Sequence, residues 1–171
     1  MKRLLLCVAL LISLASTGLG QRIGKPDMKI GCLILGEPFE SVSAKLGRPD
    51  SVRTLDQEWR GFMAYYYPRL IVWTENQDKR ICAIDIYDTS FVTARGLRLG
   101  DSTKKINTLY PTRGPERKKF SRVGPYDYTF KDYTSVTILE NSIQEEEGWF
   151  MVMFTKNDRL VKMLYYIGVN E

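Results

Sequence analysis

Leu35-Gly36-Glu37-Pro38-Phe39 and Leu99-Gly100-Asp101-Ser102-Thr103 stand 64 positions apart, and the pairing runs on without a gap: Val42 meets Ile106, Leu46 meets Tyr110 and Gly47 meets Pro111. Self-similarity at a fixed offset points to repeated structural units. Each segment has the grammar of a helix start: a turn glycine, an acid at the N-cap, an apolar stripe and a stop. Pro38 suits an opening helical position, Phe39, Val42 and Leu46 share a face, and Gly47 with Pro49 ends the first helix. Asp101 caps the second, Ile106, Leu109 and Tyr110 face one way, and Pro111 terminates it. Helices of about ten residues are marginal alone, so both must dock on apolar surface.

That surface is expected to be sheet. Trp59 to Tyr67, Leu70 to Thr74 and Arg80 to Tyr87 are rich in β-branched and aromatic residues, the last two joined through residues 75–79 as a hairpin. Trp149 to Thr155 and Arg159 to Tyr166 flank Lys156-Asn157-Asp158 in the same way, now at an offset of 79, so the second segment carries 15 extra residues between helix and hairpin. A basic stretch from Arg113 to Arg122 and the acidic Glu145-Glu146-Glu147 fall there. The fold expected is α+β: two tandem units, each a short helical element plus an antiparallel sheet with a C-terminal hairpin, over residues 21–94 and 95–171.

Residues 1–20 have the order of a secretory signal peptide: Met1-Lys2-Arg3, an apolar run from Leu4 to Leu14, then small residues to Gly20. The run is short for a membrane span and has no basic flank after it, so cleavage is expected, after Gly20 in preference to Ala15. Export places the chain in the periplasm or outside the cell. Cleavage removes two cations and no acid, taking the formal charge from +5 to +3. It also removes Cys7 and leaves Cys32 and Cys82. An oxidising compartment lets these two pair, closing a loop worth about 4 kcal/mol in the chain-entropy model. The other reading is two buried thiols.

The composition narrows the chemistry. The chain has no histidine, which removes the commonest general base, the histidine-activated nucleophiles and the commonest metal ligand. The cysteine spacing does not suit zinc, and no glycine-rich phosphate loop opens a helix. No cofactor or metal is expected. Carboxylates alone suffice for glycoside hydrolysis, and the best-placed acids are Asp85, Asp88 and Asp127. Asp85 points away from Cys82, Ile84 and Ile86 along its strand, a position more often solvated than catalytic.

Leu46-Gly47-Arg48-Pro49-Asp50 at a helix end, with Arg95-Gly96-Leu97-Arg98-Leu99-Gly100-Asp101-Ser102 opening a second unit, resembles the tandem-repeat fold of secreted β-lactamase-inhibitor proteins and the related small outer-membrane-assembly lipoproteins. The resemblance covers most of residues 31–171 and implies two sheets forming a shared surface that holds a partner. The chain departs from the lipoproteins in having no lipid-attachment cysteine after its apolar run, and no residue specifies binding to β-lactamase.

The aromatic residues are abundant for so small a core: Tyr65, Tyr66, Tyr67 and Trp73 in one sheet, Tyr126, Tyr128, Phe130, Trp149 and Tyr166 in the other. They either fill a core from both sides or leave an aromatic face exposed. The function expected is an exported, non-enzymatic binding domain that holds a protein or envelope polymer on its sheet surface. Tyr66, Trp73, Tyr128 and Trp149 are the expected contacts, with Arg117 and Lys118 as auxiliaries. The partner is first a cell-envelope or extracellular protein and second an anionic envelope polymer; nucleic acid is disfavoured by export and by the modest mature charge, and no membrane span is expected. A carboxylate-dependent envelope hydrolase and a purely structural envelope protein are the alternatives.

Overall fold

The computed structural model describes residues 23–54, 61–75, 79–111, 133–142 and 147–169. After a single 3-10 turn at Lys25–Met28 come a two-residue hairpin, β1 (Lys29–Ile30) and β2 (Leu33–Ile34), and helix α1 (Phe39–Leu46). Strands β3 (Ser51–Thr54), β4 (Phe62–Tyr67), β5 (Leu70–Glu75) and β6 (Ile81–Ile86) follow, then α2 (Thr103–Leu109) and the strands β7 (Ser135–Ser142), β8 (Glu147–Lys156) and β9 (Arg159–Val169).

The expectation of two tandem α+β units is overturned. Strands β3 to β9 form one antiparallel sheet of seven strands in the order β3-β4-β5-β6-β9-β8-β7, and the described chain is mostly β with two α-helices. The joint is β6 against β9, with Ala83 opposite Tyr166, Ile84 opposite Tyr165 and Asp85 opposite Leu164. Neither strand offers a polar edge to water: Ile81 to Ile86 are all buried, as are Lys162 to Tyr165. A strand apolar on both sides belongs in the middle of a sheet, so the two hairpins close on each other.

The repeated punctuation is local. Gly36 (φ 86°) and Gly100 (φ 90°) turn the chain in the left-handed region that an L side chain rarely adopts. Gly36 N–H donates to Ile81 O at 2.8 Å while Ile81 N–H donates to Glu37 O at 2.9 Å. Gly100 N–H donates to Leu160 O at 2.7 Å while Leu160 N–H donates to Asp101 O at 2.8 Å. The two corners thus clip α1 and α2 to the starts of β6 and β9, on the same face of one sheet. The expected acidic caps are displaced by one residue. Pro38 and Ser102 are the N-caps, and Ser102 Oγ accepts from Lys105 N–H at 3.3 Å. Glu37 and Asp101 instead pair with Lys45 and Lys105, each at 2.8 Å.

The main core lies between that face and the helices. Val42 and Ile106 are fully buried against Tyr65, Val72, Ile84, Met151 and Tyr165, and Ile30 and Leu33 of the small hairpin close one side. An ion pair at its border joins buried Asp27 of the first turn to half-buried Arg95.

Cys32 and Cys82 are not bonded to each other. Cys32 is exposed in the β1–β2 turn, whereas Cys82 is buried. The register explains it. Trp73 lies opposite Ala83 but Thr74 lies opposite Ile81, so Cys82 is the extra residue of a β-bulge and joins the sheet face away from the helices. Val161 occupies the same place in a second bulge, between the pairs Phe154–Lys162 and Thr155–Leu160. The bulge also corrects the simple alternation expected along β6, because Cys82 shares a face with Ala83 and not with Ile84.

Candidate functional site: the aromatic second face

The face of the sheet turned away from the helices is built in rows across the strands. One row runs from Arg53 through Ala64, Trp73, Ala83 and Tyr166 to Phe150. The next runs from Ser51 through Tyr66, Ile71, Asp85, Leu164 and Val152 to Ile138. Residues directly opposite in a sheet have Cβ atoms about 4.5–5.5 Å apart, so each row is a line of touching side chains. Trp73, Phe154 and Leu164 are buried in this layer, and Phe62, Tyr66, Ile71, Tyr133, Val136, Ile138 and Tyr166 are partly so. Phe150 and Tyr166 stack with ring centroids 4.6 Å apart and planes 7° from parallel. A Cβ on Gly168 would stand 2.8 Å from the Tyr166 ring, so the stack needs a glycine there.

One ion pair is set into this apolar layer. Asp85, expected to be solvated, is 2% exposed, and Lys162 is 5% exposed. Lys162 Nζ lies 3.2 Å from Asp85 Oδ1 and donates to the Tyr87 hydroxyl at 2.9 Å. The ammonium also lies 4.8 Å from the Tyr87 ring centroid and 5.6 Å from that of Phe154, distances at which an aromatic face attracts a cation. Burial pulls the Lys162 ammonium below its ordinary range, with Asp85 acting in the opposite sense. Burial first, then the Asp85 carboxylate and the neighbouring Tyr133 and Tyr66, push the Tyr87 phenol up.

The expected site residues do not gather in one place. Tyr66 lies on the second face with the Arg53 guanidinium 5.2 Å from its ring centroid. Trp73 is on the same face but only 6% exposed, a layer residue more than a surface one. Trp149 packs against the main core, on the other side of the sheet. Tyr128, Arg117 and Lys118 lie outside the described residues, as do residues 1–20, expected to be a signal peptide, and Asp127. Of the acids weighed for hydrolysis, Asp85 is engaged by Lys162, and Asp88 by Arg69 at 3.0 Å and by Ser90 N–H. Among the described residues no group of His, Cys, Asp and Glu is arranged to hold a metal ion, and no helix is long and apolar enough to cross a membrane.

Sequence reasoning missed Tyr87, Lys162 and Arg53. A signal was there for one of them: Lys162 is a charge set among apolar neighbours, Leu160 to Tyr165, as Asp85 is in β6, and buried charges are found paired. Which strands are neighbours is not written in either strand, so the partnership could not be read.

The described fold is thus mostly β, with a seven-stranded sheet, two short helices on one face and an aromatic layer on the other. No family model matches the chain, and none of the curated proteins does. Among solved structures, an extracellular protein containing a SCP domain from Bacillus anthracis str. Ames is similar with a TM-score of 0.52 and 9% identity, over 88% of this chain and 49% of that one. A cysteine-rich secretory protein from Staphylococcus aureus subsp. aureus Mu50 gives a TM-score of 0.47 and 12% identity, over 80% of this chain and 49% of that one. The chain spans about half the length of these two proteins. At such identity the Bacillus likeness concerns the fold alone. It replaces the resemblance to β-lactamase-inhibitor proteins and outer-membrane-assembly lipoproteins, which a single shared sheet does not fit.

Proposed function

We propose that this chain is a non-enzymatic binding domain working outside the cytoplasm, and that it holds a cell-envelope or extracellular protein against the second face of its sheet. The observation that carries the reading is the pairing of partly exposed aromatic side chains, Phe62, Tyr66, Tyr133 and Tyr166, with a buried layer that holds them still. Aromatic rings already fixed by packing lose little freedom when a partner covers them, which is why they dominate binding energy in protein interfaces. The signal-peptide order of residues 1–20 supports a place beyond the membrane. The similar Bacillus structure is described as an extracellular protein, which fits the same location.

Tyr66 remains a proposed contact, as do Tyr128, Arg117 and Lys118. Trp73 supports the surface from beneath, and Trp149 belongs to a different face. The test is affinity capture of residues 21–171 from cross-linked envelope extract, in parallel with a Tyr66→Ala, Tyr128→Ala variant. A protein held by the parent and lost by a folded variant is the expected result. Equal capture by both overturns the surface assigned here.

A further inference from the structure

We infer that Lys162 and Asp85 condense to an intramolecular amide that joins β6 to β9 across the middle of the sheet. The two side chains stand on neighbouring strands and on the same face: Asp85 lies opposite Leu164, so Lys162 is its diagonal neighbour, two positions along β9. Diagonal neighbours have Cβ atoms about 7–8 Å apart, a gap that a lysine stem spans. It is spanned here, with Nζ 3.2 Å from Oδ1 and the two side chains 6% and 3% exposed. Apolar groups surround them. Ile71 and Leu164 flank Asp85 in its row, Phe154 lies opposite Lys162, and the ammonium is 5.6 Å from the Phe154 ring centroid. An amine and a carboxyl held in contact meet at an effective concentration far above any in solution, on the order of 10⁵ M for well-oriented groups.

The step balances without a co-reactant. Low dielectric penalises separate charges, so the ammonium passes one proton to the carboxylate and leaves a neutral amine beside a carboxylic acid. Burial already draws the Lys162 ammonium below its ordinary range. The bond from Nζ to Cγ of Asp85 then forms, the nitrogen gives up a second proton to the departing hydroxyl, and one water leaves; nothing is oxidised or reduced. Tyr87 is placed to relay that second proton. Its hydroxyl accepts from Lys162 Nζ at 2.9 Å and hydrogen-bonds the Asp85 side chain, and the phenol, pushed up by burial, stays protonated. A relay must lie within hydrogen-bond reach of the atom that loses the proton and of the one that receives it. The setting favours the product. A buried ion pair loses much of its attraction to desolvation, whereas an amide carries no net charge into the aromatic layer. The reaction occurs once per molecule, a modification and not turnover, and it stands apart from the binding reading, so that neither falls with the other.

The experiment is intact-mass spectrometry of the mature chain, residues 21–171, denatured with its thiols reduced, followed by digestion with trypsin. The expected mass lies one water below that of the sequence. Digestion should give a branched peptide in which residues 81–95 are joined to residues 160–171, with the chain uncut at Lys162. Lys162→Arg keeps the cation and lacks the amine nucleophile, so it should show its full mass and no branched peptide. Tyr87→Phe keeps the ring and removes the hydroxyl, and joining should be about tenfold slower in protein collected at successive times after synthesis. The parent itself carries the decisive reading, so a poorly folded variant does not blunt the test. A folded parent that keeps its full mass over days, a water lost without the branched peptide, or the same water lost from Lys162→Arg overturns the inference. Joining at an unchanged rate in Tyr87→Phe overturns the relay assigned to that hydroxyl.

Discussion

Arg95 grips Asp27 with both arms of its carboxylate-facing edge: Nε lies 2.7 Å from Oδ1 and Nη2 lies 2.8 Å from Oδ2, across 68 residues of chain. The remaining Nη1 donates to Leu109 O at 3.0 Å, and the guanidinium lies 4.7 Å from the Tyr110 ring centroid. One side chain thereby ties the first turn, the approach to Gly100 and the end of α2 into a single knot. Hydrogen bonding to Asp27 holds the guanidinium above its ordinary range. Removing one partner of a buried pair leaves the other uncompensated, so Arg95→Ala is expected to destabilise by roughly 3–5 kcal/mol. Arg95→Lys should recover only a small part, because an ammonium cannot reproduce the two parallel bonds. Urea unfolding of the three proteins checks both values, and equal stability of Arg95→Lys and the parent would contradict the account.

The Asp85–Lys162 pair in the second face gives a sharper contrast. Lys162→Met strands a carboxylate that is 2% exposed and should cost about 3–5 kcal/mol. The double variant Asp85→Asn, Lys162→Met removes both charges and is expected to be more stable than Lys162→Met alone. The linkage has a definite sign: a lysine whose folded pKa is lowered disfavours folding most below that pKa, and the disadvantage fades as pH rises toward its unfolded value of 10.5. The pair is therefore a source of placement for Tyr87 more than of net stability. A double-mutant cycle measured by denaturation decides the point.

Gly36 and Gly100 take φ values of 86° and 90° with nothing within 4 Å of a Cβ at Gly100 and only the end of Ile167 near one at Gly36. Space is available at both corners, so the cost of alanine is conformational. Each substitution should lose about 1–2 kcal/mol. Gly168→Ala acts by a different route, since its Cβ would meet Tyr166 at 2.8 Å and Phe150 at 3.3 Å. That overpacking should cost about 1–3 kcal/mol and change the near-ultraviolet circular dichroism of the stacked rings, which the corner variants should leave alone.

Glu37 supplies a pH test. Its hydrogen bond from Lys45 holds the carboxyl below the ordinary value of 4.5, against a smaller opposing effect of burial. A carboxylate with a lowered folded pKa stabilises above its unfolded pKa and loses that contribution as pH falls through the folded value. The melting temperature of the parent should accordingly drop below about pH 4.5 more steeply than that of Lys45→Ala, with a gap that narrows in high salt. Parallel curves for the two proteins would remove the pair from the account.

Much of the local structure was legible. The helices at Phe39–Leu46 and Thr103–Leu109 follow from glycine, apolar stripe and stop, and the cores of β4, β5, β6, β8 and β9 follow from β-branched and aromatic runs. The short edge strand β3 was missed because Ser51 to Thr54 carries a single apolar residue, Val52, and is exposed on every residue, leaving no alternation to read. The strand β7 was hidden by its position between a basic and an acidic stretch, and residues 29–34 by strands of only two residues.

What the sequence determined by itself was the set of pieces: where the chain must turn left-handed, where a helix can start and stop, which runs must be strand, and that histidine chemistry is absent. Those are properties of neighbouring residues, enforced by φ preferences and hydrophobic periodicity. Only the tertiary structure decided that the hairpins share one sheet, because strand pairing is settled between residues such as Ala83 and Tyr166, whose separation in the chain carries no signal of their contact. The same assembly decided the faces. A one-residue bulge moved Cys82 away from Cys32, and the β6–β9 joint carried Lys162 to Asp85, making a buried pair with a carboxylate that looked solvated alone.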